Sequence, residues 1–291
     1  MRNHPLGEVF GFPVNNHSPE AQRYRKRRLC PFNNVSANCT KDNAEDPLGV
    51  CSMFHEGRVV IICPIRLRQD WIVVEDAASF FFPPDVNWTS LFEVELKDRH
   101  GKAAGSVDIV LVSYDQRGRI LDYGALEVQA LYISGNIRRP FQHYMDDPVK
   151  RAGMDWRGSP GYPRPDYLSS SRKRLAPQLL YKGGILHTWN RKIAIALDEN
   201  LYDTLPLLEE VPQEQAEMVW LTYTPAYSPR TRRYLLQRQR KVYTKFGTAL
   251  DQITKPEPGD EADFLAKLQE QFDKQGENHG APDVQPLAFE P

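Results

Sequence analysis

An aspartate and a glutamate, Asp108 and Glu127, are separated by 18 residues, and a glutamine, Gln129, follows two positions after the glutamate. Side chains on a strand alternate between faces, so Glu127 and Gln129 project together with Val128 behind them. If a hairpin sets Asp108 beside Glu127, the two carboxylates and the Val128 carbonyl make an all-oxygen set suited to Mg2+. An ion so held polarises a phosphate oxygen and acidifies water, which are the two effects that phosphodiester hydrolysis needs most. A half-exposed hairpin whose polar face simply meets water has the same pattern. The second group with chemistry to offer is Cys30, Cys39, Cys51 and Cys63, separated by 8, 11 and 11 residues. Four thiolates suit Zn2+ or a single iron equally well, while four free thiols packed as small apolar groups satisfy the same spacing. A closed four-sulfur site leaves no position for a substrate, so its role would be to knit a loop-rich segment together. His55 lies among these cysteines and is expected at the surface.

The elements that must position these residues are read from periodicity. Ser106–Tyr114 (SVDIVLVSY) is a β-branched strand, Asp115–Arg119 a turn containing Gly118, and Ile120–Ile133 a second strand, which together form the hairpin. The preceding SLFEVELKD, from Ser90, predicts a short helix carrying Glu93. Residues 1–25, with Pro5, Pro13 and Pro19, read as irregular, and residues 30–63 as a loop-rich cysteine module ending in a strand at Arg58–Cys63. Five prolines between 140 and 170 predict a long surface loop. Ser169–Trp189 has helical spacing at Leu175, Leu179 and Leu180, with Pro177 near its start or kinking it. Lys192–Leu197 and Glu217–Tyr223 read as strands and Arg230–Ile253 as a basic helix. Beyond Lys255 a short helix is expected at Asp260–Lys274, with a mobile tail over about the last 15 residues. This divides the chain into an N-terminal region with the cysteine module (1–70), a core with recognition loops (71–255) and an acidic C-terminal region (256–291).

With 291 residues, 41% hydrophobic and 26% charged, the chain can bury a substantial core as one large domain or two small ones. It has no run of apolar residues long enough for a membrane span. Met1–Phe12 lacks the apolar core of a secretion signal, so a cytoplasmic, reducing location is expected, with thiols or metal ligands rather than disulfides. The net charge of −1 conceals two segments, 136–191 and 230–255, each with a surplus of seven positive charges. A polyanionic partner is therefore compatible with the total, as are solvated basic faces. Arg23, Arg25, Lys26, Arg27 and Arg28, and Arg138 and Arg139, are candidates to hold phosphates. Arg151, Arg157, Arg164 and the Arg172-Lys173-Arg174 cluster are candidates to read guanine in the major groove. Tyr144, Trp156 and Tyr162 either pack the loop or touch a base.

Asp108, then Glu127-x-Gln129, preceded by a segment containing Glu93, resembles the PD-(D/E)xK nuclease core, many of whose members have lysine where this chain has Gln129. The segments LCPFNNVSANC, PLGVC and IICPI, together with that glutamine, are similar to NotI-type restriction endonucleases over about Cys30 to Ile195. The resemblance implies an α/β (α+β) fold in which a mixed sheet is flanked by helices, with a small N-terminal four-cysteine metal module. It implies an orthodox type II enzyme that cuts double-stranded DNA with Mg2+ as a homodimer, at a GC-rich palindrome built on GGCC. A 5′-phosphate product and a cognate DNA methyltransferase go with it. Asp108 and Glu127 would then be metal ligands, Glu93 an accessory acid on the preceding helix, and the cysteines a structural site favouring iron over zinc. An amide neither takes a proton near neutral pH nor carries charge, so Gln129 is limited to orienting water or phosphate. The proton acceptor stays open between hydroxide on the ion and a neighbouring DNA phosphate. The alternative is a non-catalytic, metal-stabilised DNA-binding protein whose hairpin acids are structural.

Overall fold

A six-stranded mixed sheet positions Glu93, Asp108, Glu127 and Gln129, and the alternation of side-chain size along its strands explains how it is covered. The computed structural model describes residues 4–278, and the chain divides after Thr254 into two compact units. In the first unit, β1 (Leu6–Val9), β2 (Phe12–Pro13), β3 (Val50–His55) and β4 (Arg58–Ile61) form a small antiparallel sheet in the order β2-β1-β3-β4. The main sheet is built from β5 (Trp88–Lys97), β6 (Ala103–Tyr114), β7 (Ile120–Gln129), β10 (Ile193–Asp198), β11 (Met218–Ser228) and β12 (Arg233–Thr244). Its order is β12-β11-β10-β7-β6-β5. Strand β10 runs parallel to β7 and β11, and the remaining pairs are antiparallel. Between them β8 (Tyr132–Ser134) and β9 (Arg164–Asp166) pair as a separate ribbon.

The central strand shows the layering. Ile193, Ile195 and Leu197 enter one core, which also holds Phe141 and Tyr144 of α3 (Arg138–Asp146) and Leu175, Leu179 and Leu186 of a helical segment over 167–188, called α4. Ala194 and Ala196 enter the other, against Val73, Val74, Ala77, Phe80 and Phe81 of α2 (Ile72–Phe81). The alanines leave room for the aromatic face of that helix. A strand covered on both sides reads as the continuous apolar run seen here. Each large side chain so buried contributes about 1.5–3 kcal/mol of transfer free energy. The second unit contains the helix Glu261–Asn278. Among the described residues no helix is long and apolar enough to cross a membrane.

Several local expectations are corrected. The described part of residues 1–25, from residue 4 on, is not irregular: β1 is buried throughout, and α1 (Pro19–Arg27) starts with a Ser18 hydroxyl accepting the Ala21 N–H and a proline in its first turn. The Ser90 segment is strand β5, because Phe92, Val94 and Leu96 sit at period two and pair with β6. Arg230–Ile253 is strand β12 followed by the helix Phe246–Thr254, since residues 233–244 pair with β11 along their whole length. Ile120–Ile133 ends its main-sheet pairing at Gln129, and 140–170 is interrupted by α3, a 3-10 turn at Lys150–Gly153 and β9. Pro177 neither starts nor breaks α4. It lies between two π-helical turns, Ser171–Leu175 and Leu179–Gly183, whose wider bore absorbs its missing N–H and its crowded ring. Most of the expected mobile tail lies outside the described residues.

Candidate active site

The site forms where two strands part. Pairing between β6 and β7 runs from Tyr114↔Ile120 to Ile109↔Leu126 and stops there. At the next step the Val128 N–H donates to Asp108 Oδ2 (2.8 Å), so the side-chain carboxylate takes the place of a strand carbonyl. Inward alternation along β6 breaks at the same residue: Val107 and Val110 enter the core shared with α4, whereas Ile109 enters the opposite one. The result is that Asp108 and Glu127 stand side by side. Glu127 is 4% exposed. Burial, and then repulsion from Asp108, push its carboxyl up to about 8 against the opposing pull of Lys182. Its Oε2 accepts a 2.5 Å hydrogen bond from Lys182 Nζ, and its Oε1 has no hydrogen-bond partner.

Glu93 reaches the same place from β5, a strand rather than the expected helix. Phe92↔Ile109 and Val94↔Val107 bracket it, so it lies opposite Asp108. Its backbone is left-handed (φ 51°), which for a non-glycine residue inside a strand stores about 1–3 kcal/mol of strain. Arg68 lies 3.8 Å from its carboxylate and 5.0 Å over the Phe92 ring. Glu93, Asp108 and Gln129 all line one cleft of about 860 Å3, together with Arg68, Arg138 and Arg174 and, from the N-terminal region, Lys41 and Cys63. Gln129 is buried, and its Nε2 donates to the Ala130 carbonyl at 2.7 Å. Val128 is the more exposed of the three, the reverse of the expected order, because α4 covers the face that Glu127 and Gln129 occupy.

The basic candidates divide by partner. Arg174 stacks 4.0 Å over Tyr132 at the cleft wall and remains exposed. Arg138, also at the cleft, is held by Asp42 (2.6 Å) and Asp46 (2.8 Å). Arg139, Arg164 and Arg172 are exposed and do not line it. Arg25 is buried, donating to the Asn16 and Pro13 carbonyls, so its expected phosphate role is corrected. Tyr144 is fully buried and packs the core rather than touching a base. Within β12, Arg238 and Lys241 pair with Asp76, and Arg240 with Glu199 and Asp203.

The four cysteine thiols line one small cavity of about 10 Å3. Burial raises the Cys30 thiol to about 11 and the Cys51 thiol well above its usual range, with neighbouring sulfurs adding to both. Among the described residues, no three His, Cys, Asp or Glu side chains are gathered as a ready-made ligand set. His55 is half-buried near Glu56 and Tyr167 and does not line the cavity.

Two residues at the site escaped the sequence reading, Lys182 and Arg68. Lys182 had a signal: it shares the helical stripe of Leu175, Leu179 and Leu186, and a cation at a core position calls for a buried anion. Arg68 had none, because the turn that carries it meets β5 only in three dimensions.

Acids paired where two strands part, with Asp108 on the wall of a cleft that arginines also line, suit a hydrolase of a polyanion, and the family match gives the class: a site-specific deoxyribonuclease, a hydrolase that binds double-stranded DNA. The family model described as Restriction endonuclease NotI matches residues 8–236, and the chain belongs to that family. No curated protein matches the chain.

Proposed function

We propose that the protein is a type II restriction endonuclease that hydrolyses double-stranded DNA with Mg2+ at a GC-rich palindrome built on GGCC. It acts in the cytoplasm as a homodimer, beside a cognate DNA methyltransferase that protects host sites. The observation that carries this reading is the adjacency of Asp108 and Glu127 at the parted strands, with Glu127 Oε1 buried and unpartnered. Two carboxyls held together in a buried place repel when both are ionised, which is what holds the Glu127 pKa up, and a hard divalent ion between them relieves that repulsion, so the residues fit one. An ion held there supplies Lewis-acid polarisation of the scissile phosphate and acidifies the attacking water. Asp108 and Glu127 are the ligands, and Glu93, its strained backbone facing Asp108, is the accessory acid. With its Nε2 engaged by Ala130, Gln129 offers Oε1 to orient water but takes no proton, which leaves a DNA phosphate as one available acceptor. Arg174 and Arg138 line the path of the DNA; Arg139, Arg164 and Arg172 add positive charge outside the cleft.

The four cysteines are proposed to hold a structural iron or zinc. Their shared cavity is about the size of one water molecule, and the Cys30, Cys39 and Cys51 thiols, made reluctant to ionise by burial, need a cation to become ligands. Linear plasmid DNA with Mg2+ tests the catalytic reading. Discrete fragments are expected, with Asp108→Ala reducing cleavage by about three orders of magnitude or more while Ca2+-supported binding persists. Sequencing the fragment ends then gives site and stagger together. Retarded but intact DNA supports the binding-only alternative, and cutting by Asp108→Ala removes the site. Elemental analysis with a visible spectrum tests the cysteines, and a colourless, metal-free, stable protein refutes that part.

A further inference from the structure

We propose that Lys182 is a positioning residue that presents Glu127 to the divalent ion, an inference that rests on the metal-dependent reading above. Lys182 comes from the second π-helical turn of α4, and its side chain is 8% exposed. Its ammonium enters the gap between the parting strands, donating to the Ser106 carbonyl of β6 (2.9 Å) and to Glu127 Oε2 of β7 (2.5 Å). Gly105, at φ +107°, borders the lysine stem; a Cβ there would lie 3.4 Å from Lys182 Cδ. With Oε2 and the β6 backbone tied to one ammonium, Glu127 has a single fixed orientation, and Oε1 is the oxygen left for the ion.

This is a different task from that of the lysine many relatives of the nuclease core carry in place of Gln129. Lys182 is buried behind Glu127 and outside the cleft lining, so it acts through the carboxylate. The plain alternative is a strut: a buried ion pair that fastens α4 to the sheet and does nothing else. The two roles differ in what the folded protein does when the lysine is removed. Losing a strut lowers stability and leaves ion affinity alone. Losing a positioning residue weakens ion binding in protein that is still folded, and only while Glu127 is there to be positioned.

The test is Mn2+ binding to the DNA-free protein, read by the paramagnetic resonance signal of free Mn2+, with circular dichroism checking the fold of each variant. Lys182→Met is expected to bind Mn2+ about 10- to 100-fold more weakly than the parent, as removal of an outer partner of a ligand does. In DNA cleavage, kcat should fall by a comparable factor with KM changed less than about threefold. Lys182→Arg should recover part of the affinity. In a Glu127→Gln background, Lys182→Met should weaken Mn2+ no further, because the residue acts only through that carboxylate. A folded Lys182→Met with parental affinity, or a further loss in the Glu127→Gln background, overturns the proposal. Should Lys182→Met fail to fold, Lys182→Gln replaces it, a neutral and shorter side chain that fills the space without tying Glu127 to the β6 backbone: weakened Mn2+ binding in the folded variant supports the proposal, and parental affinity overturns it. A parent protein that binds no Mn2+, or Asp108→Ala binding it unchanged, sinks the metal site itself; parental binding with a silent Lys182→Met sinks only this inference.

Discussion

If Glu127 ligates the proposed ion, proton and metal compete for it, and the competition sets a measurable slope. The metal-free carboxyl is pushed up to about 8, first by burial and then by Asp108. A protonated carboxyl cannot ligate, so each ion bound below that pH displaces one proton. The apparent dissociation constant for Mg2+ then scales as one plus the ratio of protonated to ionised Glu127. It rises about tenfold for each pH unit below about 8, and levels off above it. Initial cleavage rates titrated with Mg2+ at pH 6.5, 7.5 and 9 separate this from any change in maximal rate, because the half-saturating concentration is read at each pH. Glu127→Gln should lose the slope along with most of the affinity. Stability is linked with a definite sign. Folding raises the Glu127 pKa above its ordinary 4.5, so the metal-free protein loses stability as pH rises from there to about 8. Added Mg2+ should therefore raise the melting temperature more at pH 8.5 than at pH 6. A half-saturating Mg2+ concentration that stays flat between pH 6.5 and 7.5 would refute the reasoning.

Two further outcomes follow from contacts elsewhere. Arg66 is fully buried, bonded to Glu8 (2.9 Å), Gln69 (2.7 Å) and the Tyr234 carbonyl (3.0 Å), so Arg66→Met strands the buried Glu8 and should cost about 3–5 kcal/mol in urea unfolding. Glu8→Gln combined with it should recover much of that loss, and a single-variant cost below about 1 kcal/mol would contradict the assignment. Arg174, exposed and stacked on Tyr132 at the cleft, should read a base. Arg174→Ala is expected to weaken cognate DNA in Ca2+ by about 1–3 kcal/mol with little effect on non-cognate DNA, and equal losses on both would make it a phosphate contact instead.

What the sequence determined by itself was whatever lies in the spacing of near neighbours. The β-branched run of Ser106–Tyr114, the turn at Gly118 and the strand after it follow from period two, and so does the placement of Glu127 with Gln129 on one face. The spacing of Leu175, Leu179 and Leu180 gave the helix, although Leu180 proves exposed, and KIAIAL gave a strand, whose cover on both sides only the structure shows. The segments misread were those whose composition satisfies both periods. SLFEVELKD and the basic run after Arg230 carry apolar residues at helical and strand spacings alike, and only pairing with β6 and β11 makes them strands. Tertiary structure alone decided which charges are free. Arg25 and Arg138 look alike in the chain, yet one is spent on backbone carbonyls in the core and the other stands at the cleft beside two aspartates. It also decided that β6 peels from β7 at Asp108 and that Lys182 fills the opening. Periodicity is a property of the segment, while an ion pair between residues 55 positions apart depends on how the chain returns. That is why the pairing of the two acids was legible in the sequence and the lysine bonded to Glu127 was not.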